Sequence, residues 1–332
     1  MTRMVLAFVF CAVLLGGNLW LGMVPAAQAA QKMNIRLAHV VNEQDGFHIA
    51  ALKFKEIVEE RTGGNVTVAL FPNAQLGDER TLLEGMQMGI VDMGVITNGP
   101  VANFVEEIAV FELPFLFPNP EAAYKVLDGP IGRELLNNLE RVNLKGLAYA
   151  ERGFRNLTNS VRPVNSPEDI VGLKIRVMEN PVYIDTFTTL GANAVPMAWT
   201  EALTAMRQKT IDGQENPVNV IHSFKLFEQQ SHLSMTRHTY APAIFVMGLA
   251  KWRSLGPDYQ EIFLEAAQQA AEHGRHVNAE MEAGQLEELR EAGMEIIMEP
   301  DVAAFREKVK PVHAKYGEKF GAYLQRILDE IQ

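Results

Sequence analysis

The chain has 332 residues, 48% of them hydrophobic and 21% charged, with 25 Gly and 16 Pro, a composition that excludes disordered and collagen-like proteins. That length favours two lobes, each large enough to bury its own core. Thirty Lys plus Arg against 41 Asp plus Glu give a formal net charge of -11, and with no basic run anywhere the chain is a poor partner for nucleic acid or an anionic membrane surface.

Residues 1–31 contain one charge, Arg3, ahead of an uncharged stretch that reaches Ala27-Gln28-Ala29. A short basic start, an apolar middle and a small-x-small boundary read as a signal peptide over 1–29, cleaved after Ala29 or Ala30. An uncleaved anchor is the rival reading, because the apolar length almost suffices to span a bilayer. The only cysteine, Cys11, lies in this segment, so the exported protein would have no disulfide, thiol nucleophile or thiolate metal site.

After it, Asn34–Val41 alternates as a strand, Phe47–Glu60 has apolar residues at helical spacing, and Gly63-Gly64 stops that helix. Val66–Phe71, Glu79–Met88 and Met93–Thr97 continue as strand, helix and strand. Strands joined by helices of this length pair in parallel, and ligands bind beyond their carboxyl ends. The turns after Val41, Phe71 and Thr97 are therefore expected near a site. The pattern restarts with strands at Lys145–Ala150, Leu173–Val177 and Ala194–Met197 and helices at Pro181–Leu190 and Thr200–Gln208. Phe245–Ala250 reads as a strand returning to the first unit. Asp258–Ala292 can form one helix of roughly 45 Å or more, long enough to lie across two lobes. Two α/β units along one chain place a ligand in the cleft between them.

Arg176 ends a predicted strand in Gly172-Leu173-Lys174-Ile175-Arg176-Val177. It can offer a planar fork to a carboxylate, or simply pair with Glu179. Arg155 occupies a polar position in a strand-like context, and Asn216 sits in Asp212-Gly213-Gln214-Glu215-Asn216-Pro217, a turn that can face a ligand or merely cap a helix entry. Asp78 and Glu79 can meet ligand hydroxyls, although Asp78 is also a natural cap for the helix starting at Glu79. Trp199 either lines the cleft or packs in the core. His39, His48 and His238 flank strand ends, where they can donate to a ligand or satisfy local backbone. His273 and His276, with Glu280, could share a metal, but a solvated helix face explains them better. Phosphate-loop, dinucleotide, nucleophile-elbow and His-Glu-x-x-His signatures are all absent. No cofactor and no catalytic residue is expected.

Four segments, Phe71-Pro72-Asn73-Ala74-Gln75-Leu76-Gly77-Asp78-Glu79-Arg80, Leu113-Pro114-Phe115-Leu116-Phe117, Gly172–Val177 and Asp212–Pro217, together resemble the DctP-type solute receptors of TRAP (tripartite ATP-independent periplasmic) transporters. The resemblance spans the whole chain after the signal peptide. It implies a type II-like, two-lobed α/β binding protein, each lobe a mixed sheet flanked by helices, with a long helix across both. The lobes would be residues 30–152 plus about 242–281, and 153–241 plus about 282–332. It also implies a monomeric periplasmic receptor that closes over a small organic acid and delivers it to TRAP membrane subunits. The family's carboxylate-clamping arginine falls on Arg176, its second arginine on Arg155 and its ligand-facing asparagine on Asn216. The turn after Val41, Asp78, Glu79 and Thr97-Asn98 fall where specificity contacts vary. Acids at Asp78 and Glu79 would repel a second ligand carboxylate, which favours a hexuronate or related sugar acid over a C4-dicarboxylate. Arg80 or His48 reaching the site would reverse that preference. A periplasmic lyase or isomerase acting on a sugar acid, and a ligand-reporting subunit of a sensor, are the alternatives.

Overall fold

Each of the first two helices starts where an acidic side chain can cap it. In the computed structural model, which describes residues 32–331, Asp45 Oδ1 accepts from Phe47 N at 3.0 Å and Asp78 Oδ1 from Thr81 N at 2.8 Å. These caps begin α1 (Gly46–Arg61) and α2 (Glu79–Gln87), which alternate with β1 (Met33–Ala38), β2 (Val66–Phe71) and β3 (Met93–Thr97). Gly77 precedes the second cap at φ 113, and a Cβ there would lie 2.6 Å from the Thr81 methyl carbon. No other residue serves that turn without strain. The expected signal peptide and the alternative anchor lie outside the described residues. Among those described, no helix is long and apolar enough to cross a membrane.

Short helices α3 (Asn98–Val101), α4 (Pro120–Leu127) and α5 (Pro130–Asn138) lead to β4 (Leu144–Asn159). Then follow α6 (Pro167–Ile170), β5 (Lys174–Val177), α7 (Pro181–Leu190), β6 (Asn193–Pro196), α8 (Trp199–Arg207), β7 (Gly213–Asn216) and α9 (Val218–Ser223). The chain closes with β8 (His232–Gly248), α10 (Leu249–Ser254), α11 (Pro257–Glu291), β9 (Glu295–Ile297), α12 (Val302–Lys308) and α13 (Lys310–Ile331). Gly213–Asn216, read from sequence as a turn, is thus a buried strand, and the predicted strands at 145–150 and 245–250 belong to much longer ones, except that Leu249 and Ala250 already open α10.

The nine strands form one sheet in the order β2-β1-β3-β8-β4-β7-β5-β6, with β9 also on β8. β1 pairs in parallel with β2 and β3, and β5 with β6 and β7. The two mixed groups are joined by β4 and β8, antiparallel partners that run from one group into the other. Their ladder breaks register between Glu151 and Gly153 and again between Arg155 and Leu157. The expected lobe boundaries fall at this break, where Glu151 faces Pro242 and Gly153, at φ 107, faces Ala241. The proline withholds a ladder donor and the glycine takes a backbone angle closed to other residues, so both crossing strands bend at one level.

α11 is a single helix of 35 residues, roughly 50 Å long. Its first half presents Ala266, Ala267, Ala270, Ala271 and Gly274 as buried small residues. A Cβ on Gly274 would stand 3.3 Å from Ala50 Cβ of α1, so small side chains let the two helices approach closely. Phe54 packs against Phe245 on one side and Phe263 on the other. The carboxyl-terminal α13, expected with the second group, rests on α4 and α5 as well as on α7. Phe111 and Phe117 enter the core against Tyr149 and Tyr240, while Phe115 N donates to His238 O at 2.7 Å.

Candidate functional site

β5 runs parallel to β6 and β7 and carries Arg176 opposite Val195 and Gln214. Only 3% of Arg176 is exposed. Its Nε and Nη2 both donate to Met197 O, at 3.0 and 2.8 Å, and the guanidinium lies 5.6 Å from the centroid of the Trp199 ring. The alternative pair with Glu179 does not form. Four arginines are buried among the described residues. Arg152 pairs with Asp45, Arg155 with Glu215 and Arg275 with Asp128, whereas Arg176 has no carboxylate partner. Burial lowers its pKa to about 10 against the opposing pull of Glu215, Glu79 and Glu179, so it stays cationic at neutral pH with no carboxylate in contact. Such a group stands ready for an anion.

Arg176 lines a cavity of about 30 Å³ together with Val40, Asp78, Glu79, Arg80 and Trp199, among others. That is room for about two waters, so the two sheet groups stand closed on each other. Hydrogen bonds between them hold this arrangement. Asn103 Nδ2 donates to Glu179 O at 2.7 Å, Asn180 Nδ2 to Gly99 O at 3.0 Å and Asn42 Nδ2 to Ser223 O at 3.0 Å. A Cβ on Gly99 would lie 3.0 Å from Met178 Cε, so the two groups touch here and a larger residue would push that side chain aside.

The acids of the opposite wall are partly engaged. Asp78 caps α2 as the sequence suggested, and Glu79 Oε1 accepts from Thr97 N at 2.6 Å. Arg80 reaches the same cavity but its Nε pairs with Glu84 at 3.1 Å on an exposed face. Trp199 stands with its ring edge-on to Phe224, and its Nε1 is buried without a partner.

The remaining candidates are distributed elsewhere. Arg155 is held by Glu215 through Nε and Nη2, the latter 2.9 Å from Oε1. Burial works against this cation, but Glu215 overrides it and raises the Arg155 pKa. Burial likewise works to raise Glu215, and Arg155 and His238 outweigh it, leaving that carboxyl below its usual range. His238 donates or accepts at Thr236 Oγ1, 2.8 Å, and stands 3.2 Å from Glu215 Oε2. Asn216 Nδ2 donates to Gln214 Oε1 at 2.6 Å, on the strand face opposite Glu215 and Arg155. Gln214 in turn donates to Thr158 Oγ1 at 2.9 Å. Asn216 and Arg155 therefore do not meet, because their strands alternate them to opposite faces.

Asn98 is a buried member of a neighbouring group that sequence reasoning missed. Its Nδ2 donates to Glu112 Oε1 at 2.7 Å, and Tyr183 OH donates to Glu112 Oε2 at 2.6 Å. Burial pushes the Glu112 carboxyl up to about 7. Glu112 stands just before the Leu-Pro-Phe-Leu-Phe run, and an acid opening so apolar a segment was the available signal. His39 and His48 form a pair, Nε2 to Nδ1 at 3.1 Å. Burial lowers both, His39 to about 4 with help from His48, so the pair is neutral at pH 7. Neither lines the Arg176 cavity. Among the described residues no group of three His, Cys, Asp or Glu could hold a metal.

Comparison with known proteins identifies the family. Residues 37–319 match the DctP family, described as bacterial extracellular solute-binding protein, family 7. The chain is 37% identical over 303 residues to the 2,3-diketo-L-gulonate-binding periplasmic protein of Escherichia coli, covering 90% of this chain and 92% of that protein. Its fold matches a TRAP periplasmic solute-binding protein from Polaromonas sp. JS666 bound to D-erythronate, with TM-score 0.88, 37% identity and coverage of 90% and 98%. It also matches the sugar acid binding protein of Advenella mimigardefordensis in complex with galactonate, with TM-score 0.87, 34% identity and coverage of 90% and 97%. These are binding proteins of transport systems and not enzymes. From its sequence, fold and relatives alike, the chain belongs to the DctP family of bacterial extracellular solute-binding proteins.

Proposed function

We propose that this protein is a periplasmic receptor for a sugar acid, an aldonate or a hexuronate, which it delivers as a monomer to TRAP membrane subunits. The observation that carries the reading is Arg176, a buried arginine in the closed cleft with no carboxylate of its own. A ligand carboxylate would take its free donors while Met197 O keeps the guanidinium oriented. Asp78 and Glu79 would accept from hydroxyls at the other end of the ligand. Arg80, occupied by Glu84, offers little to a second carboxylate, which favours a sugar acid over a C4-dicarboxylate. The relatives named for diketogulonate, erythronate and galactonate support the same class.

Opening would occur at the bend shared by β4 and β8. The moving bodies would be residues 32–152 with about 242–281, and 153–241 with about 282–331, with α13 touching both through α4, α5 and α7. Arg155 acts in this reading through Glu215, stiffening the wall behind the site, and Asn216 reaches the ligand only if its bond to Gln214 yields on opening. A thermal-shift screen of the chain without residues 1–29 against D-galactonate, D-erythronate, D-galacturonate and succinate tests the proposal, since a ligand that binds only the native state raises Tm. The sugar acids are expected to raise it more than succinate. No shift with any carboxylate overturns the reading.

A further inference from the structure

Glu112 ends the short helical segment Glu106–Glu112 and is buried, with its two oxygens held from two different bodies. Asn98 Nδ2, from its own body, donates to Oε1 at 2.7 Å and also reaches Ile108 O at 3.1 Å. Tyr183 OH, on α7 of the other body, donates to Oε2 at 2.6 Å. This second bond belongs to the seam in which Asn180 Nδ2 donates to Gly99 O and Met178 packs on Gly99, so it breaks when α7 withdraws from α3. The charged groups around Glu112 are engaged elsewhere. Arg155, on β4, stands 5.6 Å from the centroid of the Tyr183 ring but is bound to Glu215 of β7, and His238, on β8, faces the same Glu215 at 3.2 Å. From α13, His313 Nε2 is bonded to Pro114 O at 2.6 Å and Lys319 pairs with Glu106, while Glu107 pairs with Arg141 on the exposed side.

A carboxylate buried between neutral donors is costly, and a proton relieves the cost. We propose that Glu112 couples closure to proton uptake: it is ionised while the two bodies stand apart and protonated once they close over the ligand, so that a sugar acid binds more tightly as pH falls below neutral. The inference rests on the receptor reading above, in which the bodies part along this seam. In the closed protein burial pushes the Glu112 carboxyl up to about 7, and burial also holds the Tyr183 phenol well above its usual value, so the phenol keeps its hydrogen. In the open form α7 has withdrawn and water solvates the carboxyl, which returns towards its usual 4.5. The form with the higher pKa binds the proton more tightly, so ligand and proton each tighten the other by the same factor. The gain is complete below pH 4.5 and is lost as pH rises through 7. Glu151 provides the contrast. Burial pushes its carboxyl up to about 7 as well, but its partner Tyr124 lies in its own body, so closure leaves its proton unchanged.

Calorimetric titration of D-galactonate into the chain without residues 1–29, in two buffers of different ionisation enthalpy, counts the protons taken up on binding. The expected count is about 0.9 per ligand at pH 6 and about 0.1 at pH 8, with Kd rising about twentyfold from pH 5.5 to 7.5. In Glu112→Gln, which is neutral at every pH, the count at pH 6 falls close to zero and Kd no longer varies over this range. Glu151→Gln leaves both as they are in the parent. Binding by the parent without proton uptake at pH 6 overturns the proposal and leaves the receptor reading standing. An uptake that survives in Glu112→Gln, or that disappears in Glu151→Gln instead, overturns it as well. No binding of any sugar acid at either pH overturns both.

Discussion

Replacing Arg176 by Met should remove ligand binding without weakening the fold, a pair of effects that few buried residues produce together. A bidentate pair with a carboxylate comprises two charge-assisted hydrogen bonds of about 1.5–3 kcal/mol each, so its loss raises Kd by roughly 10²- to 10⁴-fold. In the ligand-free protein the balance is reversed. Burial lowers the Arg176 pKa to about 10, which corresponds to roughly 3 kcal/mol of unfavourable charge burial. Against this stand two hydrogen bonds to Met197 O, about 1 kcal/mol each, and packing over Trp199 that a methionine stem largely keeps. The ligand-free variant is therefore expected to melt at the parent Tm or a few degrees above it. Arg155→Met provides the contrast, because it strands Glu215, fully buried, without its cation. Breaking a buried pair from one side costs about 3–5 kcal/mol. Thermal unfolding of the three proteins with and without D-galactonate reads both effects. An Arg176→Met protein that loses as much Tm as Arg155→Met, or that binds galactonate with unchanged affinity, refutes the reasoning.

Glu112 has a folded pKa of about 7 against a usual 4.5, so its contribution to stability is complete below pH 4.5 and is lost as pH rises through 7. Urea titrations of Glu112→Gln should show a smaller decline in stability than the parent between pH 5 and 8. His39 behaves oppositely, with a folded pKa of about 4 against 6.5. Its contribution is present above pH 6.5 and lost as pH falls through 4, and His39→Gln should flatten that acid limb in the same titrations. Asn180→Ala removes a hydrogen bond between the two sheet groups and should shift the ligand-free protein toward open forms, read as a larger radius of gyration by solution scattering and a weaker Kd for galactonate. Asp78→Ala removes the cap of α2 and should lower stability by about 1 kcal/mol in chemical denaturation.

Why one arginine is free and the other not has a simple origin in the strand register. Arg176 and Gln214 are opposite each other on parallel strands, while Glu215, one residue further along β7, faces Arg155 on the other side of the sheet. A single-residue slip of β7 would exchange those faces and place the carboxylate beside Arg176, neutralising it. The bulge between Arg155 and Leu157 on β4 fixes the register on one side of β7, and the parallel pairing of Ile175 with Gly213 fixes it on the other. Gly213 is required there, since a Cβ would lie 2.2 Å from Thr158 O.

The same reasoning explains what the sequence made legible. The opening β-α-β-α-β was readable because each element has its own period and its own cap, Asp45 and Asp78 being local signals. β4 and β8 were truncated in the reading because their apolar pattern is interrupted by Glu151, Arg152, Arg155, Arg237 and His238. Those polar residues are tolerated in a buried strand only through partners far away in sequence, Arg152 with Asp45, Arg155 with Glu215 and Arg237 near Glu282. Arg176 was identified by its strand-end position and by resemblance, but its special status depends on which acids the other buried arginines consume. Charge pairing across 60 or 107 residues follows from the folded register and leaves no local periodicity. A receptor of this kind therefore displays its scaffold locally and its buried charge pairing only globally, since Arg176 is, among the described residues, the one buried arginine that folding leaves without a carboxylate partner.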